Sequence, residues 1–293
     1  MRDISISVVI PAYNEGAAVG PVVDGIRRTL SGLVTKFEII VIDDGSKDGT
    51  AQAARGACAN VICHPINRGY GQSLETGIAA ARHDWILMMD ADGSYPVGEA
   101  AKLLEFAPNF DLVIGTRTGV YFWGSPMQTF LRWVYLRIAS FIVGESIPDA
   151  NSGMRLVRRV MAAQAKGPVR CLGFSHSTTM TLSFLQDGRF VKFVPIEFSH
   201  RVGKSKVRPL RDILRTLQLM LLVMIAYNPT KLFITIACLP ATAALALAVG
   251  YMLGHGETWI VSSTLLALGA LACFATGCLL EALRMVRSGY IRG

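Results

Sequence analysis

Two carboxylates one residue apart, Asp90 and Asp92, close the stretch WILMMDADGSYP. Five apolar residues lead into them, and a buried strand does not ordinarily finish in paired acids. A second pair, Asp43 and Asp44, ends the run FEIIVIDDGSKDGT. Carboxylates crowded together repel unless a cation or hydrogen-bond donors offset their charge. A single acid after a strand usually caps a helix or makes a turn, which is the reading for Asp48 and Asp84. Four acids at two strand ends call for a ligand. Other polar clusters follow apolar runs at Pro11-Ala12-Tyr13-Asn14-Glu15, Asn67-Arg68-Gly69-Tyr70-Gly71 and Gly115-Thr116-Arg117. Gly69 and Gly71 suit a close backbone approach to a ligand. Arg offers a planar fork and Lys a compact charge to a phosphate. His64, His176 and His200 show no partner pattern for ligation or catalysis and are expected to be structural.

These clusters need strands to carry them. Ile6–Ile10, Phe37–Ile42, Val61–Cys63, Trp85–Met89 and Leu112–Ile114 are β-branched or apolar runs. Helical segments are predicted between them, near Ala17–Leu30, Thr50–Cys58, Ser73–Ala81 and Gly98–Phe106. Continuous apolar strands flanked by helices predict an α/β fold with a parallel sheet covered on both faces. In such sheets ligands bind outside the carboxyl ends of the strands, where all of these clusters fall.

The chain has 293 residues, 52% of them hydrophobic, and a net charge of +8. Its mean hydropathy of +0.41 exceeds that of an ordinary soluble protein. The excess lies beyond Leu210. Leu232–Leu253 and Thr258–Leu280 carry no charged residue, and each is long enough to cross roughly 30 Å of hydrocarbon. The four-residue connection GHGE makes them a hairpin. Lys231 precedes it, Arg284, Arg287 and Arg292 follow it, and the connection has no Lys or Arg, so the positive-inside rule predicts both ends on the cytoplasmic side. Residues 207–228 read as an amphipathic helix at headgroup level. Gly119–Val143, aromatic and cationic, suits either a membrane-facing or a core helix.

Six cysteines without metal-ligand spacing fit a reduced compartment. No long apolar stretch precedes Pro11, so no cleavable signal peptide is expected. The positive charge gathers beside the spans and no aromatic-basic stacking module is present, which argues against nucleic acid as a partner. The expected division is therefore an α/β domain over 1–206, the amphipathic helix over 207–228, two spans within 229–283 and a basic tail over 284–293.

SVVIPAYNEG, VIDDGSKDGT, NRGYGQSLETGI and MMDADGSYP, in this order, resemble the family 2 glycosyltransferases, whose fold is GT-A, a Rossmann-like mostly parallel sheet. The resemblance covers residues 4 to 206. DANSGMRLVRR, HRVGKSK and the membrane tail resemble the polyprenyl-phosphate sugar synthases of that family. The resemblance implies a membrane-bound inverting transfer of a sugar from a UDP- or GDP-linked donor to polyprenyl phosphate, such as undecaprenyl or dolichyl phosphate. With the charge placement around the spans, the expected location is the inner membrane with the catalytic domain and both termini cytoplasmic, and the two-span hairpin puts a homo-oligomer among the expected partners.

The resemblance also assigns residues. Pro11, Tyr13, Glu15, Asp43, Asp44, Gly69, Gly71, Asp90 and Ala91 fall at positions that hold the nucleotide sugar. Asp90, Asp92 and Ser94 fall at the metal positions, Ser94 standing where many relatives have Gln. Hard carboxylate oxygens suit Mg²⁺ or Mn²⁺. Arg117, Ser152, Arg155, Arg201 and Lys206 fall in the motifs around the acceptor phosphate. Asp92, Arg117 and Asp149 are the residues expected at the chemistry. A phosphate dianion needs no base to take its proton, so Asp149 is read as an orienting residue. Competing readings are a transferase acting on a lipid-linked saccharide or diacylglycerol, a processive polysaccharide synthase and a non-catalytic membrane subunit. QTFLRW has one residue too many for the synthase motif Gln-x-x-Arg-Trp, and no Thr-Glu-Asp occurs. The strand-end acids are all present, against loss of activity.

Overall fold

Alternating β-branched residues put side chains on both faces of a central sheet, and helices cover each face. The computed structural model describes residues 2–123, 125–164, 176–200 and 209–287. The strands are β1 (Arg2–Ala12), β2 (Val34–Asp43), β3 (Asn60–Cys63), β4 (Trp85–Met88), β5 (Leu112–Thr118), β6 (Arg155–Arg158) and β7 (Val191–Glu197). They form one sheet in the order β3-β2-β1-β4-β6-β5-β7. Ile6, Val8 and Ile10 of β1 pack on one side with α1 (Val19–Ser31), while Val9 packs on the other with α3 (Tyr70–Ala80). This burial of both faces explains why the strands read as unbroken apolar runs. The short helices α2 (Thr50–Gly56) and α4 (Ala100–Leu104) contribute Ala54, Leu103 and Leu104 to the first side. On the second side, α7 (Arg159–Gln164) and α8 (His176–Gln186) contribute Ala162, Met180 and Phe184.

The sheet is mostly parallel, as expected, with one exception. β6 runs antiparallel to both β4 and β5, whereas the other pairings are parallel. β6 has four residues and begins and ends in Arg, so no apolar run announces it. β7 also escapes the sequence pattern because it contains Pro195, which the ladder tolerates because β7 lies at the sheet edge. The predicted helix at Gly98–Phe106 is a 3₁₀ turn, Val97–Glu99, followed by the five residues of α4. The chain runs from β1 to β2 on one side and from β3 to β4 on the other, so the sheet switches direction between β1 and β4. The carboxyl ends of these two strands carry Pro11–Glu15 and Asp90–Asp92.

Two further helices follow β5: α5 (Val120–Trp123) and α6 (Pro126–Val143). Ser125 and Gln128 close a reciprocal cap at the start of α6. Only Ala139 and Ile142 of α6 are buried, whereas Met127, Phe130, Trp133 and Phe141 are exposed.

The chain divides into two compact units, Met1–Leu219 and Met220–Gly293, with the boundary inside α9 (Pro209–Tyr227). In the second unit α10 (Pro229–Met252) and α11 (Thr258–Arg287) pair as a hairpin. Both are long and apolar enough to cross a membrane, and only 11% and 17% of their most apolar windows are buried. That exposure separates them from the core helices of a soluble domain. Their contact is made by small groups: Ser263 donates to the Ala244 carbonyl at 2.7 Å, and Gly277 lies against Phe233. Close approach of this kind is how helices pair in lipid, which supplies no hydrophobic drive between them.

Candidate active site

The switch point between β1 and β4 gathers the polar groups into three neighbouring clusters. The first joins the ends of β1 and β2. Asn14 adopts φ 51°, a left-handed conformation that Asn tolerates. Its N–H donates to Ser46 Oγ at 2.9 Å, and its side-chain oxygen accepts the Lys47 N–H at 2.9 Å. The Glu15 N–H donates to Thr50 Oγ1, and the Gly16 N–H to Asp48 Oδ2. Asp48 also accepts from the N–H of Thr50 at the start of α2, so it ties two loops as well as capping a helix. Tyr13 and Glu15 are thereby carried on a loop that neighbouring side chains brace. Asp43 is buried and closes its own turn by accepting the Ser46 N–H. Asp44, also buried, receives the N–H groups of Arg68 and Gly69 at 2.9 and 2.8 Å. Gly69 is the N-cap of α3, and Gly71 is buried in its first turn.

The second cluster is the acidic pair. Asp90 Oδ1 accepts the Tyr70 hydroxyl at 2.9 Å, so the first residue of α3 orients the first of the two carboxylates. Burial and the neighbouring Asp90 charge push the Tyr70 phenol well above its ordinary pKa, which keeps it a donor. Asp92 Oδ1 accepts both the N–H and the hydroxyl of Ser94, at 3.0 and 2.6 Å. Ser94 is buried and directs its one proton at Asp92. The Ser94 hydroxyl thus orients Asp92, and its oxygen keeps lone pairs that could also face a cation. Asp90 and Asp92 remain as paired oxygen donors. Among the described residues no group of three or more His, Cys, Asp or Glu could form a metal cage. A hard cation that keeps waters and binds substrate phosphates needs only one or two protein carboxylates, so this donor set fits one. Ala91 between them is buried.

The third cluster is basic. Arg117, at the end of β5, places Nε 2.8 Å from Asp149 Oδ2 and Nη2 2.9 Å from Oδ1 in a two-pronged pair. The Arg117 and Asn151 N–H groups donate to the same carboxylate. Asp149 is only 2% exposed. Burial opposes its charge, but the Arg117 guanidinium and these hydrogen bonds overcome that and hold it below the ordinary carboxylate range. Arg117 also lies over the rings of Phe122 and Phe198, at 5.0 and 5.5 Å. Arg132 of α6 covers the Phe122 ring at 4.1 Å. Burial, then the Arg117 charge, lowers the Arg132 pKa, and its Nη1 is buried without a hydrogen-bond partner among the described residues. Two guanidinium groups thus gather around one carboxylate. Sequence reading missed Arg132, whose only signal is a cation inside an aromatic-rich segment.

Arg155 is the clearest relocation. Expected at an acceptor phosphate, it is 1% exposed and spends its guanidinium on the Ser152 and Ala150 carbonyls and on Thr181 Oγ1. Burial draws its pKa down to about 10, so it remains a cation that clamps the 149–153 loop from inside. Ser152 is buried, with Oγ 3.5 Å from the Tyr95 hydroxyl, which accepts the Gly153 N–H at 2.7 Å. A Cβ on Gly153 would stand 2.5 Å from Asp90 Oδ2, so only glycine lets the 149–153 loop press against the acidic pair. Burial pushes the Tyr95 phenol up to about 12. Arg201 and Lys206 lie outside the described residues.

Residues 7–164 match the family described as Glycosyl transferase family 2. The chain is 28% identical over 210 residues to the dolichyl-phosphate hexose transferase of Haloferax volcanii, an alignment covering 70% of this chain and 87% of that protein. It is 30% identical over 196 residues to the undecaprenyl-phosphate 4-deoxy-4-formamido-L-arabinose transferase of Pseudomonas fluorescens, covering 60% of this chain and 56% of that protein. Among solved structures it is similar to the Mycobacterium tuberculosis glucosyl-3-phosphoglycerate synthase in complex with Mn²⁺, UDP-glucose and phosphoglyceric acid. There the TM-score is 0.59 and the identity 22%, over 75% of this chain and 80% of that one. Family match, GT-A fold and strand-end motifs agree: the chain belongs to glycosyl transferase family 2 and is a glycosyltransferase.

Proposed function

We propose that this enzyme moves a sugar from a UDP- or GDP-linked donor to a polyprenyl phosphate at the membrane surface. The observation that carries the reading is the direct packing of the 149–153 loop, whose Asp149 holds the Arg117 guanidinium, against the acidic pair through Gly153 and Asp90. This packing supports a donor diphosphate and an acceptor phosphate lying side by side. The names of the Haloferax and Pseudomonas relatives, both transferases of polyprenyl phosphates, support the acceptor class. The Mn²⁺ and UDP-glucose of the structural neighbour support a nucleotide donor held with a dication.

Asp90 and Asp92 are the groups that would hold Mg²⁺ or Mn²⁺. When bound, the cation supplies Lewis-acid stabilisation of the departing nucleoside diphosphate. Pro11, Tyr13, Glu15, Asp43, Asp44, Gly69 and Gly71 surround the nucleoside. Arg117 and Arg132 receive the acceptor phosphate, with Arg201 and Lys206 adding charge. An acceptor phosphate oxygen attacks the anomeric carbon as the bond to the diphosphate breaks, inverting the configuration. The phosphate monoester is largely a dianion at neutral pH and brings no proton that must be removed. Asp149 acts through Arg117: its lone pairs are engaged and its charge is stabilised, so it orients the guanidinium and does not serve as a base.

The hairpin of α10 and α11 anchors the enzyme. At about 1.5 Å per residue, the 24 residues of α10 span about 36 Å. Lys231 before the hairpin and Arg284, Arg287 and Arg292 after it support, by the positive-inside rule, a cytoplasmic position for both ends and for the catalytic unit. Exposed Tyr121, Trp123, Phe130 and Trp133 of α5 and α6 are aromatics of the kind found at headgroup level, which supports a membrane-facing role for this segment.

Incubating the purified full-length protein with undecaprenyl phosphate and a panel of UDP- and GDP-sugars, followed by mass spectrometry of the lipid extract, tests the reading. One sugar-phosphate-lipid product is expected, with release of the matching nucleoside diphosphate. Donor hydrolysis without a lipid product, or transfer only to a diacylglycerol or lipid-linked saccharide, would overturn the acceptor class.

A further inference from the structure

We propose that His64 is a positioning residue of the donor site, its Nδ1–H fixing the Asp44 carboxylate so that Asp44 clamps the loop leading into α3. The consequence for binding rests on the donor reading above, whereas the contact itself does not. His64 follows β3 directly, and its own N–H donates to the Asp43 carbonyl at 2.8 Å. Its Nδ1 lies 2.7 Å from Asp44 Oδ1, and its Nε2 lies 3.0 Å from Thr76 Oγ1 in α3. An ionised carboxylate only accepts, so the proton between His64 and Asp44 sits on Nδ1. The ring is thus held at both nitrogens, by β2's end on one side and by α3 on the other.

The same carboxylate closes the loop. Oδ1 also accepts the Arg68 N–H, and Oδ2 accepts the Gly69 N–H. Three of the roughly four acceptor positions of the carboxylate are filled in this way. Each donor comes from residues 64 to 69, so a single carboxylate sets the path of six residues. The loop lies directly on the turn after β2. Gly45 adopts φ +72°, and a Cβ there would meet the Ile66 carbonyl carbon at 2.7 Å and the Asn67 nitrogen at 2.8 Å. The ring and the carboxylate are largely withdrawn from water, with side-chain exposures of 10% and 4%. In such surroundings a hydrogen bond to a charged group is stronger, and an unmatched partner costs more. One residue beyond Gly69, Tyr70 reaches Asp90. The His64 contact therefore fixes both a carboxylate assigned to the nucleotide-sugar site and the loop that supports the acidic pair.

His64→Asn keeps a donor near the Nδ1 position, whereas His64→Leu keeps bulk and removes it. Both variants are compared with the wild type as full-length protein in detergent, by amide hydrogen exchange at residues 67–71 and by calorimetric titration with UDP and with GDP. His64→Leu is expected to speed exchange at Arg68 and Gly69 and to weaken nucleotide binding about ten- to hundredfold. His64→Asn is expected to stay within about threefold of wild type. In turnover, KM for the donor rises more than kcat falls. Unchanged loop exchange in His64→Leu, or equal losses in both variants, would overturn the proposal. Thr76→Val removes the partner at Nε2 without touching Asp44, and it decides the matter if His64→Leu does not fold. Faster exchange at Arg68 and Gly69 supports the proposal, and wild-type exchange sinks it. A wild-type protein that binds neither UDP nor GDP contradicts the donor reading instead, and the exchange comparison still decides the role of His64.

Discussion

The acidic pair and the basic cluster stand against each other at Gly153, and both are built around aspartates. Their partners give those aspartates different work. Asp90 and Asp92 accept hydroxyl groups from Tyr70 and Ser94, which orient a carboxylate without cancelling its charge. Asp149 takes the fork of Arg117, which cancels its charge and leaves Arg132 nearby as a second cation. On the proposed reading, one side takes a dication with its diphosphate and the other an anionic headgroup. Residue type alone does not distinguish the two roles; the donor opposite each carboxylate does.

The comparison breaks most visibly at Asp92. Asp92→Ala is expected to lower kcat by about 10³-fold or more at every Mg²⁺ and Mn²⁺ concentration, since metal stabilisation of the leaving charge is worth several kcal/mol. A steady-state titration with each metal checks this, and near-normal turnover would contradict the assignment.

Arg117→Ala strikes the other side. It leaves Asp149 buried and uncompensated, a change that costs about 3–5 kcal/mol of stability. The double replacement Arg117→Ala with Asp149→Ala is expected to recover much of that stability but little turnover. Denaturant unfolding and product assays on the same preparations separate the two effects. If the double variant regains activity, the guanidinium has no role beyond matching Asp149.

Tyr70→Phe has a smaller expected effect. The ring still packs, Asp90 loses its hydroxyl donor, and the metal concentration for half-maximal rate rises about tenfold. An unchanged metal requirement would mean that Asp90 is held well enough by its other contacts.

The smallest effect is in pH dependence. The pKa of Asp149 is lowered in the folded protein by Arg117 and its hydrogen bonds, against burial, from an ordinary value of 3.8. The stabilisation this gives is fully present above that value and is lost as pH falls through the folded pKa. The stability difference between wild type and Asp149→Asn should therefore be flat from about pH 5 to 8 and shrink below about pH 4. Unfolding curves across that range test the sign.

The sequence and the structure divide this protein along physical lines. β1, β2 and β4 were legible because both of their faces are buried and the chain advertises this as apolar runs rich in β-branched or large side chains. The hairpin was legible because uncharged segments of membrane length leave few alternatives. β6 was not, because four residues between two arginines carry no period, and its antiparallel place depends on the vacancy between β4 and β5. β7 was hidden by Pro195, which an edge position excuses. Asp90 and Asp92 could be found from their place after a strand. Tyr70 beside Asp90, His64 beside Asp44 and Arg132 beside Arg117 could not.

By itself, then, the sequence determined the layered α/β domain, its acidic strand ends and the apolar tail, since each is a pattern within a few neighbouring residues. Only the tertiary structure decided that Arg155 turns inward, that Ser94 supports Asp92 and that His64 holds Asp44. These pairings join residues from 2 to 26 positions apart. Their side chains meet only where the packed helices and strands carry them, and local propensity does not encode which donor will stand opposite which carboxylate.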